Sequence, residues 1–96
     1  MAQRFTWDPK KAARNLRDHG VSFEEAIGAF QDEGRVEQFD EGHSEDEARY
    51  SVIGFSIKGR LLFVSYTPRG SMGEIIRIIH AHEAEPDEEQ TYEEHN

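Results

Sequence analysis

The chain has 96 residues and no cysteine, so a disulfide framework, a thiolate nucleophile and a cysteine-based zinc site are all excluded. Acidic side chains outnumber Lys and Arg by 20 to 11, for a formal net charge of −9, but residues 83–96 alone hold seven acids and no Lys or Arg. Residues 1–82 carry 13 acids against 11 bases, so a polyanion site is open to this chain if it is local and set apart from the tail.

The opening MAQRFTWDPKKA lacks an apolar h-region, and no apolar run approaches a membrane span; both point to a cytoplasmic home. The length suits one domain over residues 1–96, with 83–96 as an acidic C-terminal helix or tail. Phe5, Thr6 and Trp7 read as a short extended segment. Asp8 then caps a helix whose first position suits Pro9, and Trp7 with Ala12 makes a weak hydrophobic staple. This helix is expected to reach about Asp18, with Ala12, Ala13 and Leu16 inward and Gly20 ending it. Ser22 and Glu25 form a capping box for a second helix, Val21 and Ala26 its staple, and Phe23, Ala26, Ile27 and Phe30 its apolar stripe.

Near Gln31 the period changes. Residues 35–39 alternate loosely as a strand, and 40–47 form a polar loop or short helical turn. Residues 50–57 and 61–67 are strands joined across Lys58-Gly59. A two-residue turn there sets Phe55 opposite Leu62 and Ile53 opposite Val64. A loop over 68–73 leads to an Ile-rich strand over 74–81, and a helix follows Glu83, kinked or delayed by Pro86. The expected fold class is α+β: a mainly antiparallel four-stranded sheet plus a short N-terminal strand, an N-terminal helical hairpin and a C-terminal helix, with the helices on one face.

Chemistry concentrates late in the chain. Arg60, Arg69 and Arg77 lie on two strands and the loop between them. Guanidinium forks suit a scissile phosphate and the charge that grows on it. Arg77 interrupts an Ile-rich strand. His80 and His82 are two apart, so they share a strand face and can move protons near neutral pH. A regular strand puts Arg77 on the opposite face, so one common site requires a bulge or strong twist. Two imidazoles are also half of a metal site, but no spacing selects a third ligand from His43, Glu83 or His95, and no metal or cofactor is expected. Lys10, Arg14 and Arg17 form a basic stripe on the first helix. Lys11, Arg14, His19, Arg49 and Tyr66 are the expected substrate-binding set. No GxGxxG, Walker, HExxH or serine-nucleophile motif occurs.

These motifs, in order, resemble the BrnT family of bacterial toxins. The match runs through Phe5-Thr6-Trp7-Asp8-Pro9, Lys11-Ala12, Asn15, and His19-Gly20-Val21-Ser22-Phe23-Glu24-Glu25-Ala26. It continues with Phe30, Asp40, His43-Ser44, Glu47, Arg49, Ile53-Gly54 and Gly59-Arg60-Leu61-Leu62. It closes with Tyr66-Thr67, Arg69, Arg77-Ile78-Ile79, Ala81, Ala84, Glu88 and Tyr92, and so covers nearly the whole chain.

The resemblance implies a RelE-like fold and a metal-independent endoribonuclease toxin of a type II toxin–antitoxin pair. It also implies a ribbon-helix-helix antitoxin dimer that covers two toxins as a heterotetramer, and promoter DNA bound only through that antitoxin. Two positions depart from the family pattern: His80 stands where Ser is usual, and His82 where Arg is usual. The tail is acidic where the family's is mixed or basic. RNA cleavage, by attack of a 2′-oxygen on the adjacent phosphate, is the first expectation. The alternative is a weakened or inactive homologue that serves as a protein-binding module for the antitoxin.

Overall fold

The computed structural model describes residues 3–43 and 47–96. Part of the loop expected over 40–47, including Ser44, and the side chain of His43 lie outside the described residues. Five strands and three α-helices follow in the order β1 (Arg4–Thr6), α1 (Pro9–His19), α2 (Phe23–Ile27), β2 (Val36–Phe39), β3 (Tyr50–Phe55), β4 (Leu61–Arg69), β5 (Ile75–Glu83) and α3 (Pro86–His95). A 3-10 turn over Gly28–Gln31 extends α2. The sheet order is β1-β5-β4-β3-β2. All pairings are antiparallel except that of β1, which runs parallel to β5. The marginal first strand is therefore a full sheet member.

α1 begins as its sequence predicts, with the Asp8 carboxylate accepting from the Lys10 N–H at 2.9 Å. Its inward face differs. Leu16 is 52% exposed and Asn15 is buried. The cause is that β5 has no strand partner on its outer edge beyond Arg77. Asn15 fills that role: its amide donates to the Ala81 carbonyl at 2.8 Å and its carbonyl accepts the Ala81 N–H at 3.1 Å. The same amide donates to the Val21 carbonyl at 2.9 Å, which ties in the turn after α1. A leucine can satisfy none of these backbone groups.

The main core lies between α2 with its 3-10 turn and one sheet face, where Phe23, Ala26, Ala29 and Phe30 meet Val52, Leu62, Val64, Tyr66, Ile76, Ile78 and Ala81. Gly54 permits the close approach: a Cβ there would sit 2.5 Å from the Ala29 carbonyl oxygen. α3 does not join this layer. It crosses the other face, where Tyr92 packs edge-on against Phe55 at 5.3 Å and donates to Asp32 at 2.7 Å. The expectation of all helices on one face is corrected accordingly.

The β3–β4 register also differs from the two-residue turn. Phe55 pairs with Leu61 and Ile53 with Phe63. The Ser56 N–H donates to the Arg60 carbonyl at 2.8 Å and the Gly59 N–H to the Ser56 carbonyl at 2.9 Å, with Gly59 at φ 78°. This is a three-residue loop closed by a left-handed glycine, the next commonest hairpin solution.

Candidate functional site

The decisive local feature is a bulge in β5. Ser65 pairs with His80 and Tyr66 with Ile78, leaving Ile79 as an extra residue. The extra residue reverses the alternation. Ile76, Ile78 and Ala81 all face the core, so Arg77, His80 and His82 share the opposite face. The bulge that a shared site requires is present.

Two elements complete the site. α1 lies along the β5 edge, pinned at Asn15, and Lys11, Asn15 and His19 recur every four residues on that side. Lys11, Arg14, Asn15, Asp18, His19, Ile79 and His80 line a cleft between α1 and β5. The His19 ring stands edge-on to His80, centres 4.7 Å apart, and lies 6.2 Å from His82. On the sheet face, His80 also lines a hollow with Asp40, Arg49, Phe63, Ser65 and Ile79. Ile79 and His80 form the wall common to both depressions.

The imidazoles are held in sequence. His80 Nε2 lies 2.7 Å from His82 Nδ1, and His82 Nε2 lies 3.0 Å from Glu88 Oε1 on α3. A carboxylate only accepts, so His82 Nε2 carries a proton when it bonds Glu88. With a neutral His82, Nδ1 then accepts from His80 Nε2–H, which leaves the lone pair of His80 on Nδ1. The His82 ring is stacked on Phe63, with centres 5.0 Å apart and planes 15° apart. Burial, then the neighbouring His82 and His19 charges, push the His80 pKa down to about 4.

The arginines divide. Arg77 lies on the histidine face. The Lys10 N–H bond, then Lys11 and Arg77, hold the Asp8 carboxyl below its usual range, so Asp8 is the carboxylate that feels the Arg77 charge. Arg69 lies on the same face, opposite Ile75 and so diagonal to Arg77, and pairs with Glu47 at 3.0 Å across an exposed gap. Backbone positions in that relation are about 7–8 Å apart. Arg60 is elsewhere. Its Nε donates to Glu25 Oε2 at 2.9 Å, and its Nη2 donates to Glu25 Oε1 and to the Gly20 carbonyl. Glu83 adds a longer contact at 3.7 Å. These partners draw its fork away from the histidine cleft.

Tyr66 is 5% exposed, sits on the core face, and donates to Glu37 at 2.9 Å. Burial, then Glu37, holds its hydroxyl well above the usual phenol range. Its ring offers no open surface for a base. Lys11, Arg14 and His19 meet at the cleft, whereas Arg17 pairs with its neighbour Asp18 at 3.1 Å on the exposed side.

Three residues that sequence reasoning left out of the site belong to its surroundings. Asn15 sets α1 against β5. Glu85 and Glu88 approach His82, with Glu85 Oε1 at 3.8 Å. Their spacing from His82, three and then three again, was the available signal, since Pro86 at a helix start turns such a run back on the strand before it.

The fold and this site define a class: a small α+β protein with an imidazole-bearing, partly cationic sheet face beside a helix-lined cleft. The sequence model of the family described as ribonuclease toxin, BrnT, of type II toxin–antitoxin system matches residues 7–88. The chain belongs to that family, and membership implies an antitoxin partner and an RNA target. The structure is similar to the crystal structure of the Brucella abortus ribonuclease toxin BrnT, with a TM-score of 0.63 and 20% sequence identity over 88% of this chain and 99% of that one. At that identity the likeness speaks for the fold alone. No curated protein matches the sequence. Among the described residues, no helix is long and apolar enough to cross a membrane.

Proposed function

We propose that this protein is a metal-independent, cytoplasmic endoribonuclease toxin that cleaves RNA by in-line attack of a 2′-oxygen on the adjacent phosphorus. The P–O2′ bond forms and the P–O5′ bond breaks. The 2′-hydroxyl proton passes to an imidazole, the leaving 5′-oxygen gains one, and a cyclic phosphate remains. The observation that carries this reading is the Ile79 bulge, which sets Arg77, His80 and His82 on one face beside His19, Lys11 and Arg14. His80, opposed by His19, is placed for the proton transfers, with Glu88 and His82 orienting its ring. Arg77, Lys11 and Arg14 supply positive charge for the phosphorane. Arg69 and Arg49 extend the track along the sheet face. Arg60 and Tyr66 are assigned to stability.

The partner in this reading is a ribbon-helix-helix antitoxin dimer that caps two toxins, with promoter DNA bound only through it. The test is cleavage of RNA by antitoxin-free protein with EDTA present. The expected products end in cyclic phosphate, a single 2′-deoxy substitution protects its own linkage, and His80→Ala or Arg77→Ala abolishes cutting. RNA left intact, or cut equally by those variants, overturns the proposal. A second reading rests on His80 and His82 themselves, which stand where the family pattern has Ser and Arg: a homologue that keeps antitoxin binding without cleavage. Antitoxin capture at unchanged affinity, together with no toxicity on expression in cells, selects it.

A further inference from the structure

Two carboxylates crowd one ring nitrogen at the start of α3. Glu88 Oε1 lies 3.0 Å and Oε2 3.4 Å from His82 Nε2. Glu85 Oε1 lies 3.8 Å from the same atom. The Glu85 N–H also donates to Glu88 Oε1 at 2.9 Å, and the two glutamates form the capping box of α3, so the ring proton and the first amides of the helix share these oxygens. A divalent cation in place of that proton satisfies both carboxylates at once. We propose that His82, Glu85 and Glu88 form a site for a zinc-class divalent cation, bound by His82 Nε2 and one oxygen of each glutamate.

The spacing fits. Donor atoms around one zinc ion, each about 2.0–2.2 Å from it, lie about 3–3.6 Å from one another. Here one atom from each residue lies within 4.8 Å of the others, so closure to zinc spacing needs shifts of about 1–2 Å. The donor set, one imidazole and two carboxylates without sulfur, suits zinc and leaves a fourth position for water. His19 stands across the cleft that Asp18, His82, Glu83 and Glu85 also line. Its ring centre is 6.2 Å from that of His82. Two imidazoles on one tetrahedral ion need about 5–6 Å between ring centres, given Zn–N bonds of about 2.0 Å, so His19 lies just outside that range and the fourth position is left to water.

The site is also held from behind. A metal-bound His82 carries its proton on Nδ1, and His80 Nε2 stands 2.7 Å away to accept it. Metal-ligating histidines are commonly oriented through their second nitrogen in this way. Stacking on Phe63 fixes the ring plane. The His82 and Glu88 side chains are 20% and 16% exposed and Glu85 is 69% exposed, so an ion enters from the Glu85 side. The positive end of α3 opposes a cation with about half a charge, which two carboxylates outweigh fourfold.

None of this depends on RNA cleavage. The full chain, stripped with chelator, is titrated with zinc chloride against a chromophoric competitor. One ion per chain is expected, with a rise in thermal midpoint on saturation. Glu85→Gln weakens binding at least about tenfold, His82→Ala removes it, and His80→Ala, which loses only the supporting bond, weakens it about 10–100-fold. Glu93→Gln, one turn beyond the site, leaves it unchanged. Glu85 is exposed, so its variant folds whether or not the others do. Absence of saturation up to about 100 μM zinc, or zinc binding by Glu85→Gln and His82→Ala equal to that of the parent chain, overturns the site. Because the titration contains no RNA, its outcome is separate from that of the cleavage test.

Discussion

Two charged knots tie helices to strand ends in this molecule, and they are built to opposite specifications. In the first, Glu25 of α2 receives the Arg60 fork and the Ser56 hydroxyl at 2.8 Å, with its side chain only 2% exposed. In the second, His82 of β5 meets Glu88 and Glu85 in a cleft that solvent reaches. Donors outnumber acceptors around Glu25, and both its oxygens are occupied. Around His82, one ring proton and the amides of the α3 capping box serve two carboxylates at the rim. A saturated, buried knot holds structure; an imidazole with two carboxylates at a solvent-reached rim has capacity for a proton or a cation. The difference separates Arg60, at the base of the β3–β4 turn, from His82 within β5.

The sharpest way to break the comparison is to unpair the buried knot. Arg60→Ala leaves the Glu25 carboxylate enclosed without its guanidinium, and such a loss costs about 3–5 kcal/mol. Urea unfolding followed by circular dichroism measures it. A cost under about 1 kcal/mol would place Arg60 with the surface arginines and reopen it as a phosphate ligand. The next largest effect is expected at Asn15, which satisfies the Ala81 N–H and carbonyl and the Val21 carbonyl. Asn15→Ala leaves these buried groups open and should cost about 2–3 kcal/mol. Protection of the Ala81 amide in hydrogen exchange should fall with it, since that proton's acceptor is the side chain removed.

The two knots also differ in how legible they were in the sequence. Capping residues, staples and the change from helical to alternating period marked every element, because those signals are local. The β5 bulge was not visible: Ile75, Ile76, Ile78 and Ile79 are chemically equivalent, and only the register against β4 reveals which one is extra. That single residue decides whether Arg77 joins the histidines. Asn15 was read past because its bonds span 66 residues of sequence to Ala81. The Glu25 partner of Arg60 was hidden for the same reason, lying 35 residues away. The hairpin register is one residue off the two-residue expectation because Lys58-Gly59 also suits a three-residue loop with Gly59 left-handed.

Acid should dissolve the first knot in a defined direction. The Arg60 hydrogen bonds, outweighing burial, hold the Glu25 pKa below its ordinary value of 4.5. A carboxyl depressed in the folded state contributes stability above its unfolded pKa and loses it as pH falls through the folded value. The stability gap between the parent chain and Arg60→Ala is therefore constant near neutrality. Below about pH 4.5 it should narrow by about 1.5 kcal/mol, the worth of a hydrogen bond to a charged group. A gap that stays constant to pH 3 would mean that Arg60 stabilises through packing rather than through Glu25.

The smallest stability effect belongs to Arg69. Arg69 and Glu47 are each 45% exposed at 3.0 Å, a geometry worth about 0–1 kcal/mol. Arg69→Ala should therefore leave the unfolding midpoint almost in place. Its position on the histidine face, diagonal to Arg77, gives it a different readout. If it touches an RNA phosphate, its removal lowers affinity and flattens the log–log salt dependence by roughly 0.7–1 unit, the share of one phosphate contact. Arg17→Ala, on the outer side of α1 with its charge against Asp18, should change neither quantity. Equal salt slopes for Arg69→Ala, Arg17→Ala and the parent chain would confine the RNA track to the cleft between α1 and β5. A reduced slope for Arg69→Ala alone would run it across the sheet, over the Ile79 bulge and past His80.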